Sequence, residues 1–207
     1  MNESNSSKKD FWEIKYLNNT TPWDIGEPAP SFVKYFNGLA NKKVAVIGCG
    51  RGHDAFFLSN PKGEVYGFDF SRTAIDYCKK KKEESKLSNI YFYETDFFEL
   101  LNEKKWKSYF DYVIEHTSLC AIDPVYRKKY AELISYLLKP GGKLVGLFFI
   151  RPEELSGPPH GIAKEDLRSL LKKDFTEVEN LHIAECLHNG KLTGDEYFGV
   201  FEKNPVQ

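Results

Sequence analysis

A short apolar run, Val44-Ala-Val-Ile47, leads straight into three alternate glycines, Gly48, Gly50 and Gly52. A second apolar run, Glu64-Val-Tyr-Gly-Phe-Asp69, closes on a carboxylate. Strand, glycine turn, helix and an acid at the end of the next strand make a nucleotide-binding β-loop-α unit. In such a unit the turn lets a ligand approach the backbone and the acid holds a ribose. Gly48, Gly50 and Asp69 are therefore cofactor-binding candidates. A dinucleotide fold places its third glycine one position later, where this chain has His53. The tighter turn suits S-adenosylmethionine (SAM), whose amino-acid end lies against the loop and presents no pyrophosphate.

Apolar strand-like runs alternate with amphipathic stretches along most of the chain. Strands are expected at 43–48, 64–69, 90–94, 110–116 and 143–150, and helices at 52–60, 71–87, 124–138 and 163–172. Such alternation implies a parallel sheet covered on both faces. Lys139-Pro-Gly-Gly142 is expected to end one helix and turn into the fifth strand. Two further runs, 176–185 and 196–203, are joined by a turn-rich connector, Cys186–Asp195, too short for a crossover helix. The predicted fold is α/β, with a doubly wound, mostly parallel seven-stranded sheet and a C-terminal antiparallel hairpin. This is the Rossmann-like plan of SAM-dependent methyltransferases.

The chain has 207 residues and reads as one domain over 11–207, with a lid segment at 11–40 and a disordered start at 1–10. Net charge is −1, which gives no support to a nucleic-acid or anionic-membrane partner. Lys79-Lys-Lys-Lys82 is followed at once by Glu83-Glu84, the pattern of a solvated helix face. The four cysteines form no C-x-x-C pair, the N-terminus has no apolar signal core, and no run is long enough to span a bilayer. A cytoplasmic monomer acting on a small molecule is expected.

Ahead of the first strand lie Phe11-Trp12, Tyr16 and Thr20-Thr-Pro-Trp-Asp-Ile-Gly26. These rings either pack a helix onto the sheet edge or form an aromatic lid over a cation. Ring faces attract a cation such as a sulfonium by ~0.5–2 kcal/mol when water is excluded. Together with Gly48-Cys-Gly-Arg-Gly-His-Asp54, Asp96-Phe-Phe98, Leu119-Cys-Ala-Ile-Asp-Pro124, Leu138-Lys-Pro-Gly-Gly142 and Gly157-Pro-Pro-His160, the segment resembles the thiopurine S-methyltransferase-like family. That family includes thiol and halide methyltransferases.

The resemblance runs from about residue 11 to the end and implies SAM contacts from Trp12, Tyr16, Trp23, Gly48, Asp69, Asp96, Phe97 and His116. Relatives often carry tyrosine or arginine at His116 and phenylalanine or tyrosine at His160, and tryptophan at Tyr16. His116 also admits a plainer reading, as a histidine satisfied at a strand end.

The reaction implied is methyl transfer to a thiol or thiopurine sulfur, or to sulfide or a halide. It needs positioning and exclusion of water rather than a strong base. His160 and Arg127 are the acceptor-side candidates, with a surface role for Arg127 equally open. Cys49 and Cys120 read as packing residues. His182, Cys186 and His188 match no common zinc spacing, so no metal is expected. A non-catalytic SAM-binding protein and an NAD(P)-dependent oxidoreductase are the alternatives.

Overall fold

The computed structural model describes residues 9–36, 39–59, 62–152, 157–184, 187–188, 191–192 and 195–205. Met1–Lys8, most of the expected disordered start, lies outside them. Lys9 and Asp10 were expected to belong to that start, but they open helix α1 (Lys9–Leu17). Asp10 sits in its first turn, where a negative charge complements the helix dipole, and Lys9 pairs with Glu94.

Helix α2 (Pro30–Tyr35) follows, with proline pre-set at its start. Next come β1 (Lys43–Ile47), α3 (His53–Leu58), β2 (Glu64–Asp69), α4 (Arg72–Ser85) and β3 (Ile90–Glu94). After β3 the chain makes two 3₁₀ turns, Phe97–Asn102 and Lys104–Trp106, before β4 (Phe110–His116). A third 3₁₀ turn, Pro124–Tyr126, precedes α5 (Arg127–Leu137), β5 (Leu138–Phe149) and α6 (Lys164–Leu171). The C-terminal part holds β6 (Phe175–Ile183), the short pair β7 (Leu187–His188) and β8 (Lys191–Leu192), and β9 (Glu196–Lys203).

The seven-stranded sheet has the order β3-β2-β1-β4-β5-β9-β6. Strands β1 to β5 are mutually parallel, and β9 runs antiparallel to both β5 and β6. The fold class is the expected one, and the connector contributes a hairpin of its own, β7–β8. Strand β5 begins at Leu138, earlier than the pattern suggests. Lys139-Pro-Gly-Gly142 forms an irregularity within the strand, with Gly141 at φ 73°, and regular pairing resumes at Lys143.

Period-two alternation in β1 sends Val44 and Val46 to one face and Ala45 and Ile47 to the other. The first face packs against α2, α3 and α4 through Phe32, Leu58 and Ile75. The second packs against α5, α6 and the 3₁₀ turns through Tyr130, Leu133, Leu167 and Trp106. On that second face Phe68, Tyr93, Trp106 and Phe110 form a ring cluster with centroids 5.4–6.2 Å apart. The lysine run of α4 is a solvent face, with Lys81 and Lys82 laid over the rings of Phe56 and Tyr91. Among the described residues, no helix is long and apolar enough to cross a membrane.

Sheet stability rests on these two apolar layers. Phe68→Ala is expected to cost about 3–5 kcal/mol by emptying a fully buried site. Tyr77→Ala, at a residue 42% exposed on α4, is expected to stay within about 0.5 kcal/mol. Denaturant titration of the two variants checks the difference.

Candidate active site

The parallel strands β1 and β4 lie side by side, and their connections leave toward opposite faces of the sheet. Beyond their C-terminal ends opens the crevice typical of a topological switch point. A cavity of about 740 Å³ fills it, lined among others by Trp12, Tyr16, Trp23, Gly48, Asp69, Asp96, Phe97 and His116. Eight of the sequence-predicted residues thus converge. Gly50 lies in a smaller adjoining pocket of about 70 Å³ that shares Tyr16, Trp23, Gly48 and His116.

Asp69 ends β2 and is buried. Its Oδ2 accepts the Gly50 amide at 2.9 Å and its Oδ1 the Ser71 amide at 2.8 Å. Burial pushes its carboxyl up to about 6, against the two amide hydrogen bonds that favour the charged form. Asp96 caps the 3₁₀ turn that starts at Phe97, accepting the Phe98 amide at 2.9 Å. Phe97 is buried and rests edge-on against Phe98 and Tyr130.

The glycines of the loop are required by their surroundings. Gly48 has φ 58°, and a Cβ there would lie 2.3 Å from Ser118 Oγ, which donates to the Ile47 carbonyl. Gly50 has φ 51°, and its Cβ would lie 2.7 Å from the Tyr16 hydroxyl.

Trp12 and Tyr16 on α1 line the cavity together with Trp23 from the loop that follows. Trp12 meets Trp23 edge-on at 5.1 Å, and Tyr16 meets Trp23 at 6.1 Å and takes a hydrogen bond from it. Glu13, on the same helix, accepts from Ser71 Oγ at 2.6 Å and from the Thr73 amide at 3.3 Å, at the start of α4. Burial opposes its charge, but these hydrogen bonds prevail and hold it below the usual carboxylate range.

The loop carrying Trp23 is tied down by Asp24, 3.0 Å from Arg51 Nη1 and 2.9 Å from His53 Nε2. The hydrogen bond from His53, opposed by burial and aided by the Gly26 amide and Arg51, holds Asp24 at about 2. Glu13, Asp24, Arg51 and His53 were not foreseen as positioning groups. For Asp24, Arg51 and His53 the signal lay in complementary polar groups on separate motifs, Trp23-Asp24 and Arg51-Gly-His53.

His116 ends β4, and its Nδ1 lies 2.8 Å from Asp54 Oδ2. Burial alone would lower its pKa. The charge and hydrogen bond of Asp54, with Glu196 and Glu115 behind, reverse that and raise it to about 9. The ring is therefore an imidazolium at neutral pH. Asp54 is held in turn by the Ala29 amide at 2.8 Å.

Thr117, next in the chain, has φ 64°, a strained conformation for a β-branched residue, and lines the cavity. Buried Glu115 holds the turn by accepting the Ser118 and Leu119 amides at 3.0 and 2.9 Å and the Tyr130 hydroxyl.

Two candidates do not join the cavity lining. Arg127, expected near the acceptor, is buried at the start of α5 and donates to the carbonyls of Gly161 at 2.7 Å and His160 at 3.3 Å. Both bonds come from Nη2 and hold the loop after β5. His160 is 2% exposed, and its ring folds back against Gly157, where a Cβ would lie 2.3 Å from Nδ1. Pro158 and Pro159 line the cavity from that loop instead.

Burial pushes the Cys120 thiol up, and contact with Cys78, then burial, does so for Cys49. Neither is a thiolate at neutral pH. His182 lies on β6, with Nδ1 3.0 Å from the Asn180 carbonyl. Cys186 and the His188 side chain fall outside the described residues, among which no metal-binding cluster occurs.

The thiopurine S-methyltransferase family model matches residues 7–203. The chain belongs to that family. "Probable thiol methyltransferase 2" of Arabidopsis thaliana is 32% identical over 198 residues, 93% of this chain and 84% of the relative. "Thiocyanate methyltransferase 1" of Brassica oleracea is 31% identical over 77% of this chain and 70% of its own. Among solved structures, Burkholderia thailandensis 1,6-didemethyltoxoflavin-N1-methyltransferase, with bound S-adenosylhomocysteine, superposes with a TM-score of 0.75 at 15% identity, over 95% of this chain and 87% of that one.

This thiopurine S-methyltransferase family member is a SAM-dependent S-methyltransferase, with SAM as methyl donor and a small molecule as acceptor. The oxidoreductase alternative falls with that assignment. The residues present fit SAM: an acid at the end of β2, a loop in which a Cβ would clash, and an aromatic group suited to a sulfonium.

The Tyr16–Gly50 contact gives a direct check on how the lid sits. Gly50→Ala is expected to lower stability by roughly 1–2 kcal/mol or more, since a left-handed conformation and a clash add. Tyr16→Phe in the same chain should recover the clash but not the conformational cost. Thermal unfolding and tryptophan fluorescence of the single and double variants measure both parts.

Proposed function

We propose that this site methylates a small soft nucleophile, a thiol or thiopurine sulfur above all, with hydrosulfide, thiocyanate or a halide as further acceptors. The observation that carries the reading is His116, held by Asp54 at 2.8 Å so that its positively charged form is favoured, inside a cavity otherwise rich in rings and apolar walls. A fixed positive charge in such surroundings concentrates an anionic nucleophile and repels amines that are already cationic. The names of the thiol and thiocyanate methyltransferase relatives support the same acceptor class.

In this reading each residue acts through binding and exclusion of water. Bound SAM supplies a methyl group on a sulfonium, open to in-line attack. Asp69 accepts the ribose hydroxyls, while Asp96 and Phe97 take the adenine edge and face. The Gly48 and Gly50 backbone lies along the amino-acid end. Trp12, Tyr16 and Trp23 turn their rings toward the sulfonium and keep water out. His116 holds the anionic acceptor until its charge is neutralised by transfer. Such chemistry needs alignment more than a nucleophilic side chain. The chain is taken to be a cytoplasmic monomer without nucleic-acid or membrane partners.

An acceptor panel measuring S-adenosylhomocysteine release tests the reading. Turnover is expected with thiols, hydrosulfide, thiocyanate and iodide and not with simple amines. Amine-only turnover, or SAM binding with no product from any acceptor, overturns it.

A second expectation concerns pH. His116 is positively charged below its pKa of about 9, so iodide methylation should hold from neutral pH upward and decline as pH rises through about 9. His116→Gln should be slower at neutral pH and lack that decline. Initial rates with iodide across the pH range decide it.

A further inference from the structure

Glu196 opens β9, pairs in register with Phe149 and lines the cavity from the antiparallel part of the sheet. Its backbone is fixed by its carbonyl, which accepts the Ala184 amide at 2.8 Å. The side chain is partly buried, and among the described residues its carboxylate takes no hydrogen bond and no salt bridge. It is nevertheless near enough to His116 and Cys120 for its charge to act on both.

The other charged groups on this side are committed. Asp195 faces Arg151 Nε at 3.3 Å, Arg127 Nη2 donates to loop carbonyls outside the cavity lining, and Asp54 holds His116 Nδ1. Glu196 is thus an uncommitted carboxylate that lines the same cavity as His116 and lies near it with no hydrogen bond or salt bridge between them.

We propose that Glu196 is the acceptor-side base, which takes the proton of an acceptor that enters as S–H rather than as a ready-made anion. This rests on the S-methylation reading and extends it from halides and thiocyanate to neutral alkyl thiols. The thiol lies between the two groups, with its sulfur toward the His116 N–H and its hydrogen toward Glu196. The S–H bond breaks and the proton passes to a Glu196 carboxylate oxygen. The freed sulfur electron pair forms the new C–S bond as the donor's methyl–sulfur bond breaks. That bonding pair leaves on the sulfur of S-adenosylhomocysteine. The products are a neutral thioether, neutral S-adenosylhomocysteine and a protonated Glu196, which returns its proton to water through the open side of the cavity. Without a carboxylate here, a neutral thiol beside an imidazolium has no group to receive its proton.

The test is a comparison of three acceptors at neutral pH in wild type, E196Q and E196D: an alkyl thiol, thiophenol and iodide. For E196Q, kcat with the alkyl thiol is expected to fall by about 100-fold, the lower end of what a positioned base contributes. Thiophenol, far more ionised at that pH, should lose much less. Iodide methylation should rise a few-fold, because one like charge has been removed from the cavity.

E196D keeps the carboxylate and should recover part of the alkyl-thiol rate. Thermal unfolding and SAM affinity of the variants report whether β9 and the donor site are intact. Equal losses with all three acceptors, or no loss with the alkyl thiol, overturn the assignment. A wild-type protein that methylates none of the three overturns the S-methylation reading, and the role of Glu196 with it.

Discussion

The site is built outward from the Asp69 carboxylate. One oxygen takes the Gly50 amide and the other the Ser71 amide, so the loop after β1 and the turn after β2 are joined through one side chain. Ser71 then does two things with its hydroxyl: it accepts the Ala74 amide to cap α4, and it donates to Glu13 on α1. A line of hydrogen bonds therefore runs from the sheet to the lid helix. The arrangement has a cost. The pKa of Asp69 is raised from 3.8 to about 6, so its charge opposes folding above about 6, by roughly 3 kcal/mol, and the penalty is relieved as pH falls. Hydroxyl donors from a ligand would offset part of that penalty, which makes the site complementary to a ribose.

The parallel sheet was legible because strands buried on both faces read as unbroken apolar runs, and their ends were marked by glycine or an acid. Strands β2, β3, β4 and β9 matched their expected limits, and the other main elements began or ended within a few residues of theirs. The N-terminal helices were harder to see. Both α1 and α2 come before the strand–helix alternation that marked the other helices, so only their rings stood out.

The residues singled out on strand ends and loops gather at one cavity because the switch point has one place to put them. Arg127 and His160 were misplaced for the opposite reason. What binds Arg127 is two backbone carbonyls, and what packs His160 is a glycine, and neither leaves a mark in side-chain chemistry. Asp54 and Glu13 were missed because their partners, His116 and Ser71, are 62 and 58 residues away along the chain. Pairing at that range is decided by topology, so no local pattern announces it.

The charges around the acceptor form an ordered series. Asp54 is anchored by the Ala29 amide and holds His116; His116 lines the cavity, and Glu196 lines it from β9. An imidazolium between two carboxylates is stable in apolar surroundings only if one carboxylate compensates it permanently, and the 2.8 Å contact with Asp54 does so. The second carboxylate is then free to gain or lose a proton without unseating the first pair. Substrate choice follows from that division of labour. Anions are drawn by His116 and resisted by Glu196, whereas a neutral thiol meets a donor on one side and an acceptor on the other. The strained turn at Thr117, fixed by buried Glu115, keeps this geometry from relaxing when the cavity is empty. Selectivity here resides in spacing between groups that do not touch, and rigid elements on both sides of the cavity are what hold that spacing open.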